Sequence, residues 1–143
     1  AISIVGNAFE KKYDKGGKPY VLHCLEVMNG VKYLGTKAMI IAVLHDLVED
    51  CVLWTFDRLS LLNFPHDILV ELDLLTRKVG EEYFTYIDRV SSSPLAIAIK
   101  LADLKHNMRP ERLPKLDKRH LDRMKKYYTA YTYLKGGIDG YKG

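Results

Sequence analysis

Apolar residues recur along this chain at spacings of three and four, the period of helices with one buried face. Val21, Leu22, Leu25 and Met28 fall on one face of a predicted helix over 20–31. Tyr83, Phe84, Tyr86, Ile87 and Val90 make 81–90 amphipathic. Two segments, 37–48 and 95–108, are apolar nearly all round, which predicts the buried centre of the fold. Further helices are expected over 1–13, 55–63, 65–76 and 120–134. Local signals punctuate them. Lys15-Gly16-Gly17-Lys18-Pro19 breaks the first, Thr55 is a candidate N-cap, and Ser93-Pro94 reads as a cap followed by a first-turn proline. A proline- and charge-rich stretch, 109–118, connects the last two. Apolar/polar alternation bounded by hairpin dipeptides is missing. The expectation is an all-α, single compact helical bundle over 1–135. A tail over 136–143, with four glycines in eight residues, is expected to be mobile.

The length of 143 residues fits one domain. A chain of that size buries about two-thirds of its unfolded surface and needs no disulfide to fold. Hydrophobic residues at 48% and charged residues at 28% exclude a disordered or fibrous protein. Two cysteines, Cys24 and Cys51, with no CxxC spacing point to a reducing, cytoplasmic compartment. The longest uncharged apolar run, 38–44, is far short of the about 20 residues that span a bilayer. The start lacks a basic n-region, so no signal peptide and no membrane association are expected; the missing initiator Met reads as a processed or trimmed start. Lys and Arg number 22 against 18 Asp and Glu, a net +4 that suits a phosphorylated small molecule. The basic residues of 109–126 are mixed with acids, which argues against a nucleic-acid polymer as partner.

The informative residues are polar groups inside apolar segments, because burying a charge without a partner is costly. Ile40-Ile41-Ala42-Val43-Leu44 runs directly into His45-Asp46-Leu47-Val48-Glu49-Asp50. His45 and Glu49 share a helical face, as do Asp46 and Asp50. Asp103 interrupts the second buried segment, with Asn107 one turn later. His23 follows Tyr20-Val21-Leu22. Singly, each has an ordinary reading: a helix end returning to the surface, a salt-bridged aspartate, a satisfied core histidine. Together, His23, His45, Asp46 and Asp103 offer two imidazoles and two carboxylates from three helices. That donor set suits Mn, Fe, Co, Ni or Zn and not Ca. It leaves positions for water and a substrate oxygen, and water on such an ion loses a proton near neutral pH. Glu49 and Asp50 stand one turn on, placed to orient or deprotonate that water or to protonate a leaving oxygen.

In the order His…His-Asp…Asp, these residues resemble the HD-domain metal-dependent phosphohydrolases. Three flanking words carry the resemblance further: Gly17-Lys18-Pro19-Tyr20-Val21-Leu22-His23, Ala42-Val43-Leu44-His45-Asp46-Leu47-Val48-Glu49-Asp50, and Ile99-Lys100-Leu101-Ala102-Asp103-Leu104-Lys105-His106-Asn107-Met108. They are similar to the hydrolase domain of the (p)ppGpp synthetase/hydrolases and to the stand-alone small alarmone hydrolases. No synthetase domain follows, which points to the stand-alone type. The resemblance implies an HD-domain fold and a guanosine-3′,5′-bis(diphosphate) 3′-pyrophosphohydrolase with one Mn²⁺. His23, His45, Asp46 and Asp103 match the metal ligands, and Glu49 and Asp50 the acidic pair that activates water. Asn107 matches a polar residue near the nucleotide sugar and phosphate. Lys15 falls on a basic loop that touches the nucleotide. Thr76 lies in a similar Thr-containing segment, and Tyr127 near a C-terminal helix that closes the pocket.

The sequence departs from the family in that loop, where Asp14 stands at an arginine position and Gly16 also differs. An arginine stacks on a base and an aspartate does not. Those departures leave room for another nucleotide (a nucleoside monophosphate, a dNTP or NADPH) or for a non-catalytic nucleotide-binding domain. Of the cations nearest the ligand segments, Lys15, Lys18, Lys100, Lys105, Arg109 and Arg112, the candidates for phosphate are Lys15 and Arg109. Arg77 and Lys78 read as helix-end cations. His66, His106 and His120 have no evident partner. A monomer or homodimer is expected.

Overall fold

The computed structural model describes the backbone of residues 1–112 and 117–142, and the side chains of 1–112 and 117–136. In order, the helices are α1 (Ile2–Ala8), α2 (Val21–Gly30), α3 (Thr36–Leu44), α4 (Leu47–Asp50), α5 (Phe56–Leu61), α6 (His66–Leu75), α7 (Tyr83–Val90), α8 (Pro94–Asn107) and α9 (Lys118–Lys142). Short 3₁₀ turns occupy Lys32–Leu34 and Pro110–Arg112. Among the described residues there is no strand, only one isolated antiparallel bridge, Tyr13 with Pro19. The fold is all-α, as the periodicity predicts. No helix among the described residues is long and apolar enough to cross a membrane.

The two nearly all-apolar segments are the centre. Ile41, Ala42 and Leu44 of α3 and Ile97, Ile99 and Leu104 of α8 are fully buried. Burial of each isoleucine and leucine among them contributes about 1.5–3 kcal/mol. α2 packs on both α3 and α8, and α9 lies along α8. The cap signals behave as read. Thr55 accepts from the Arg58 N–H at 3.1 Å, and Ser93 from the Ala96 N–H at 3.3 Å ahead of Pro94. Each satisfies one of the free N–H groups that open a helix.

Three boundaries differ from the expectation. The first helix stops at Ala8, because Phe9 turns inward, 2% exposed, and the chain doubles back. The Tyr20 N–H then donates to the Lys12 carbonyl at 2.9 Å, closing residues 13–19 into a loop. The central helix is not continuous. α3 ends at Leu44, Asp46 adopts φ −99° and ψ −3°, and α4 restarts at Leu47. The last helix runs on through Gly136 to Lys142, and Gly143 lies outside the described residues. Extending a helix already nucleated costs about 1 kcal/mol per glycine, so glycines alone do not end one.

Candidate active site

The break between α3 and α4 builds the site. Neighbours in a continuous helix diverge by about 100°. The kink lets His45 and Asp46 point into one space, where α2 brings His23 and α8 brings Asp103. One donor atom from each of the four lies within 4.8 Å of all the others. His45 Nε2 is 3.0 Å from Asp46 Oδ2 and 3.3 Å from Asp103 Oδ1. His23 Nε2 is 3.0 Å from Asp103 Oδ1 and 3.5 Å from Asp46 Oδ2. His23, His45 and Asp103 are only 2–3% exposed.

The proton accounting favours a cation. His45 Nδ1 donates to the Ala42 carbonyl at 2.6 Å, and its Nε2 faces the two carboxylates, whose charges overcome burial and raise the imidazole well above its usual range. His23 Nε2 is buried without a hydrogen-bond partner despite its carboxylate neighbours. On its other side, His23 Nδ1 lies 2.7 Å from His106 Nδ1, with the rings stacked at 4.9 Å. Burial, together with the nearby His23, Arg112 and Arg109, pushes His106 down to about 4. His106 is therefore neutral and can accept the His23 proton. Partners of this kind fix the tautomer and orientation of metal-binding imidazoles. Two ring nitrogens and two carboxylate oxygens thus fit a divalent ion.

Supporting residues surround the four. The Tyr20 hydroxyl donates to Asp46 Oδ2 at 2.6 Å, and Asn107 Nδ2 to Asp103 Oδ1 at 3.0 Å. Lys100 Nζ is 2.6 Å from Asp103 Oδ2. Burial alone raises the Asp103 carboxyl, but Lys100 and the histidines outweigh it and hold the group well below the usual range. Burial likewise opposes ionisation of Asp46, and His45 and His23 overcome it.

Beside the cluster opens a cavity of about 430 Å³, within the range of small-molecule sites. Asp46, Glu49 and Asp50 lie on its lining, and so do Arg77, Arg123 and Lys126. The Arg77 N–H donates to Glu49 Oε2 at 3.2 Å and aims that carboxylate. Burial, followed by the Asp46 charge, raises the Glu49 carboxyl. Asp50 pairs with Lys12 at 3.0 Å. Burial and the neighbouring Arg77, Arg123 and Lys100 lower Lys126, the mark of cations crowded together with no anion between them. Amid them the buried Tyr83 hydroxyl has no partner.

Of the residues singled out in the sequence, Glu49, Asp50, Lys15, Asn107 and Tyr127 share this cavity with Asp46 and Asp103, and His23 and His45 sit behind them. Thr76 and Arg109 do not line it. The Thr76 hydroxyl donates to the Leu72 carbonyl at 2.7 Å, closing α6, and the next residue, Arg77, reaches the cavity instead. Arg109 lies 3.9 Å from Glu26 and lines a separate groove. The 3₁₀ turn at Pro110–Arg112 brings Arg112 inward in its place.

Arg77, read as a helix-end cation, faces the site, and His106, read as partnerless, touches His23. His120 pairs with Asp117 at 2.9 Å. Sequence reasoning named Lys100 only among the nearby cations, preferring Lys15 and Arg109, and passed over Tyr20, Tyr83, Arg123 and Lys126. A signal existed for some: Tyr20, Lys100 and His106 each stand three residues from a ligand, on its face of the helix.

No family model matches the chain. Among curated proteins, a probable GTP pyrophosphokinase of Mycobacterium leprae (strain TN) is 32% identical over 129 residues of alignment. The match takes in 78% of this chain, which spans only 16% of that relative's length. Among solved structures, a metazoan orthologue of SpoT, described as hydrolysing ppGpp and playing a role in starvation responses, superposes with a TM-score of 0.77. It is 20% identical, and the match covers 97% of this chain and 89% of that one. The chain carries the same helical fold.

Proposed function

We propose that this HD-type domain is a divalent-metal-dependent phosphohydrolase, specifically a guanosine-3′,5′-bis(diphosphate) 3′-pyrophosphohydrolase that uses Mn²⁺. The observation that carries the reading is the buried cluster His23–His45–Asp46–Asp103 opening into a cavity lined by both carboxylates and crowded cations. A polyanionic nucleotide supplies the negative charge that Arg77, Arg123 and Lys126 lack. The resemblance of the three motif words and the ppGpp hydrolysis printed for the structural neighbour agree with it.

His23, His45, Asp46 and Asp103 would hold the divalent ion, which when bound would supply polarisation of a phosphate oxygen and a lowered pKa for water. The protein's own residues do the rest. Glu49, aimed by the Arg77 N–H, takes the proton of the attacking water. Asp50, charge-balanced by Lys12, accepts a hydrogen bond from that water and orients it. The water oxygen attacks the phosphorus attached to the ribose 3′ oxygen. That P–O bond breaks, the proton held by Glu49 passes to the leaving 3′ oxygen, and pyrophosphate is released. Lys15, Asn107 and Tyr127 line the space for the nucleotide. The reading places the reaction in the cytoplasm, with the chain acting as a monomer or homodimer on a small nucleotide and no nucleic-acid polymer as partner.

One observation favours a second substrate class. Asp14 lines the same cavity where the resembled family's loop carries an arginine, and an aspartate offers no guanidinium to stack on a base. A nucleoside monophosphate, a dNTP or NADPH with a differently placed phosphate is the alternative. The test is phosphate and pyrophosphate release from a panel holding ppGpp, pppGpp and those nucleotides, with and without Mn²⁺. Asp46→Ala serves as the blank. Mn²⁺-dependent pyrophosphate from ppGpp is expected. An inert ppGpp beside another turned-over nucleotide overturns the substrate, and silence throughout overturns the enzyme reading.

A further inference from the structure

The loop that carries Lys15 is built almost entirely from its own backbone. The Asp14 N–H donates to the Lys18 carbonyl at 2.8 Å, and the Gly17 N–H to the Asp14 carbonyl at 3.0 Å. Asp14 Oδ1 accepts the Lys18 N–H at 2.9 Å, and Gly17 takes φ +84°, open to glycine. Such a turn is stiff within itself but is not thereby fixed against the rest of the protein. Among the described residues, its side-chain tie to the segment after α8 is one ion pair, Asp14 Oδ2 to Arg112 Nε at 3.4 Å. Both side chains are withdrawn from water, at 9% and 11% exposed. Gly16 completes the contact: a Cβ there would meet the Glu111 and Arg112 carbonyl oxygens at 3.6 Å, so loop and turn already touch.

The same guanidinium reaches the metal cradle. Arg112 Nη1 donates to Asn107 Oδ1, which fixes the amide so that Nδ2 points to Asp103 Oδ1 at 3.0 Å. Nη1 also lies 3.1 Å from His23 Nδ1, on the ring edge away from the ligand nitrogen. The nucleotide-facing loop and the amide that props Asp103 therefore meet at one side chain.

We propose that Arg112 is a positioning residue that locks the Lys15 loop to the Asn107–Asp103 side of the metal cradle. It is not a phosphate-binding cation, because Asp14 already neutralises it. Its planar fork is what the task needs: a carboxylate and an amide oxygen in different directions suit a rigid guanidinium and defeat an ammonium of equal charge. The proposal rests on the phosphohydrolase reading for its substrate arm only.

The experiment measures Mn²⁺ affinity by calorimetry and KM for ppGpp in the whole chain. The variants are Arg112→Ala, Arg112→Lys, Asp14→Asn and the Asp14→Asn/Arg112→Ala pair. Removal of an outer partner of a metal ligand weakens metal binding about 10- to 100-fold, and Arg112→Ala is expected in that range with a raised KM. Arg112→Lys should not recover the metal affinity. Asp14→Asn keeps the acceptor for the Lys18 N–H, so the loop still forms. It should raise KM while leaving Mn²⁺ affinity alone. The double variant should have a KM no higher than Arg112→Ala, because both changes open the same link. Arg112→Ala within about twofold of wild type in Mn²⁺ affinity, full rescue by lysine, or additive KM effects would each overturn the proposal. The calorimetric arm needs no substrate. A wild type that binds Mn²⁺ and leaves ppGpp intact refutes the substrate reading, and the metal affinities still decide the role of Arg112.

Discussion

His106→Phe isolates one atom. Phenylalanine keeps a ring to stack on His23, where the imidazoles now lie 4.9 Å apart with planes 27° from parallel. What disappears is the nitrogen 2.7 Å from His23 Nδ1. With His23 Nε2 turned to a cation, Nδ1 must carry the proton, and Arg112, a donor, cannot receive it. The ligand is left with a buried, unmatched N–H in its metal-bound form. Loss of such a partner costs about 10–100-fold in metal affinity, or about 1.4–2.7 kcal/mol. The metal-free protein is spared most of this. There His23 can carry its proton on Nε2 beside Asp103, and Nδ1 then accepts from Arg112 at 3.1 Å. Urea unfolding in chelator should therefore change by about 1 kcal/mol or less. Calorimetric titration with Mn²⁺ reads the first effect and the urea midpoint the second. His106→Gln, which offers an acceptor oxygen, should recover part of the affinity. Equal Mn²⁺ affinity in His106→Phe and wild type, or an equal loss with and without metal, refutes the reasoning.

Glu49 is held above the ordinary glutamate range by burial and by Asp46, and a base works only when ionised. Turnover should be present above that raised pKa and fall as pH drops through it, so the acid limb of kcat lies higher than for a solvated glutamate. Glu49→Gln should abolish turnover with Mn²⁺ affinity intact; loss of metal binding in that variant would contradict the division of roles. Lys100→Met strands the Asp103 charge at a site where Lys100 Nζ now lies 2.6 Å away. Breaking a buried pair in this way costs about 3–5 kcal/mol. Saturating Mn²⁺ should restore much of that stability by compensating Asp103, and by linkage the variant should bind Mn²⁺ at least as tightly as wild type. Identical destabilisation in chelator and in Mn²⁺ would rule this out.

The helical class and the identity of the four clustered residues were legible because local rules govern both. A helix with a buried face needs apolar residues every three or four positions, and a polar residue inside such a run is expensive enough to need a reason. His23, His45, Asp46 and Asp103 each have an ordinary reading on that ground singly, and they stand out as a donor set only when taken together. The caps at Thr55 and Ser93 were legible for the same reason, since the orphan N–H groups they satisfy lie within three residues. Propensity did not show the break at His45–Asp46. Nothing in Ala42-Val43-Leu44-His45-Asp46 opposes a helix, and the kink forms only where α2 and α8 bring His23 and Asp103 to meet it.

The sequence by itself determined that this protein is a helical bundle with a mixed nitrogen and oxygen donor set in its apolar centre. Only the tertiary structure decided which surrounding groups serve that set. Arg112 rather than Arg109 turns inward because a 3₁₀ turn rotates the chain between them. Arg77 rather than Thr76 reaches Glu49, because the Thr76 hydroxyl is already engaged by α6. Asp14 meets its cation across 98 residues of chain, and His23 meets His106 across 83. Periodicity constrains a residue against neighbours one or two turns away. Contacts at that separation depend on how whole helices pack, which no local pattern encodes.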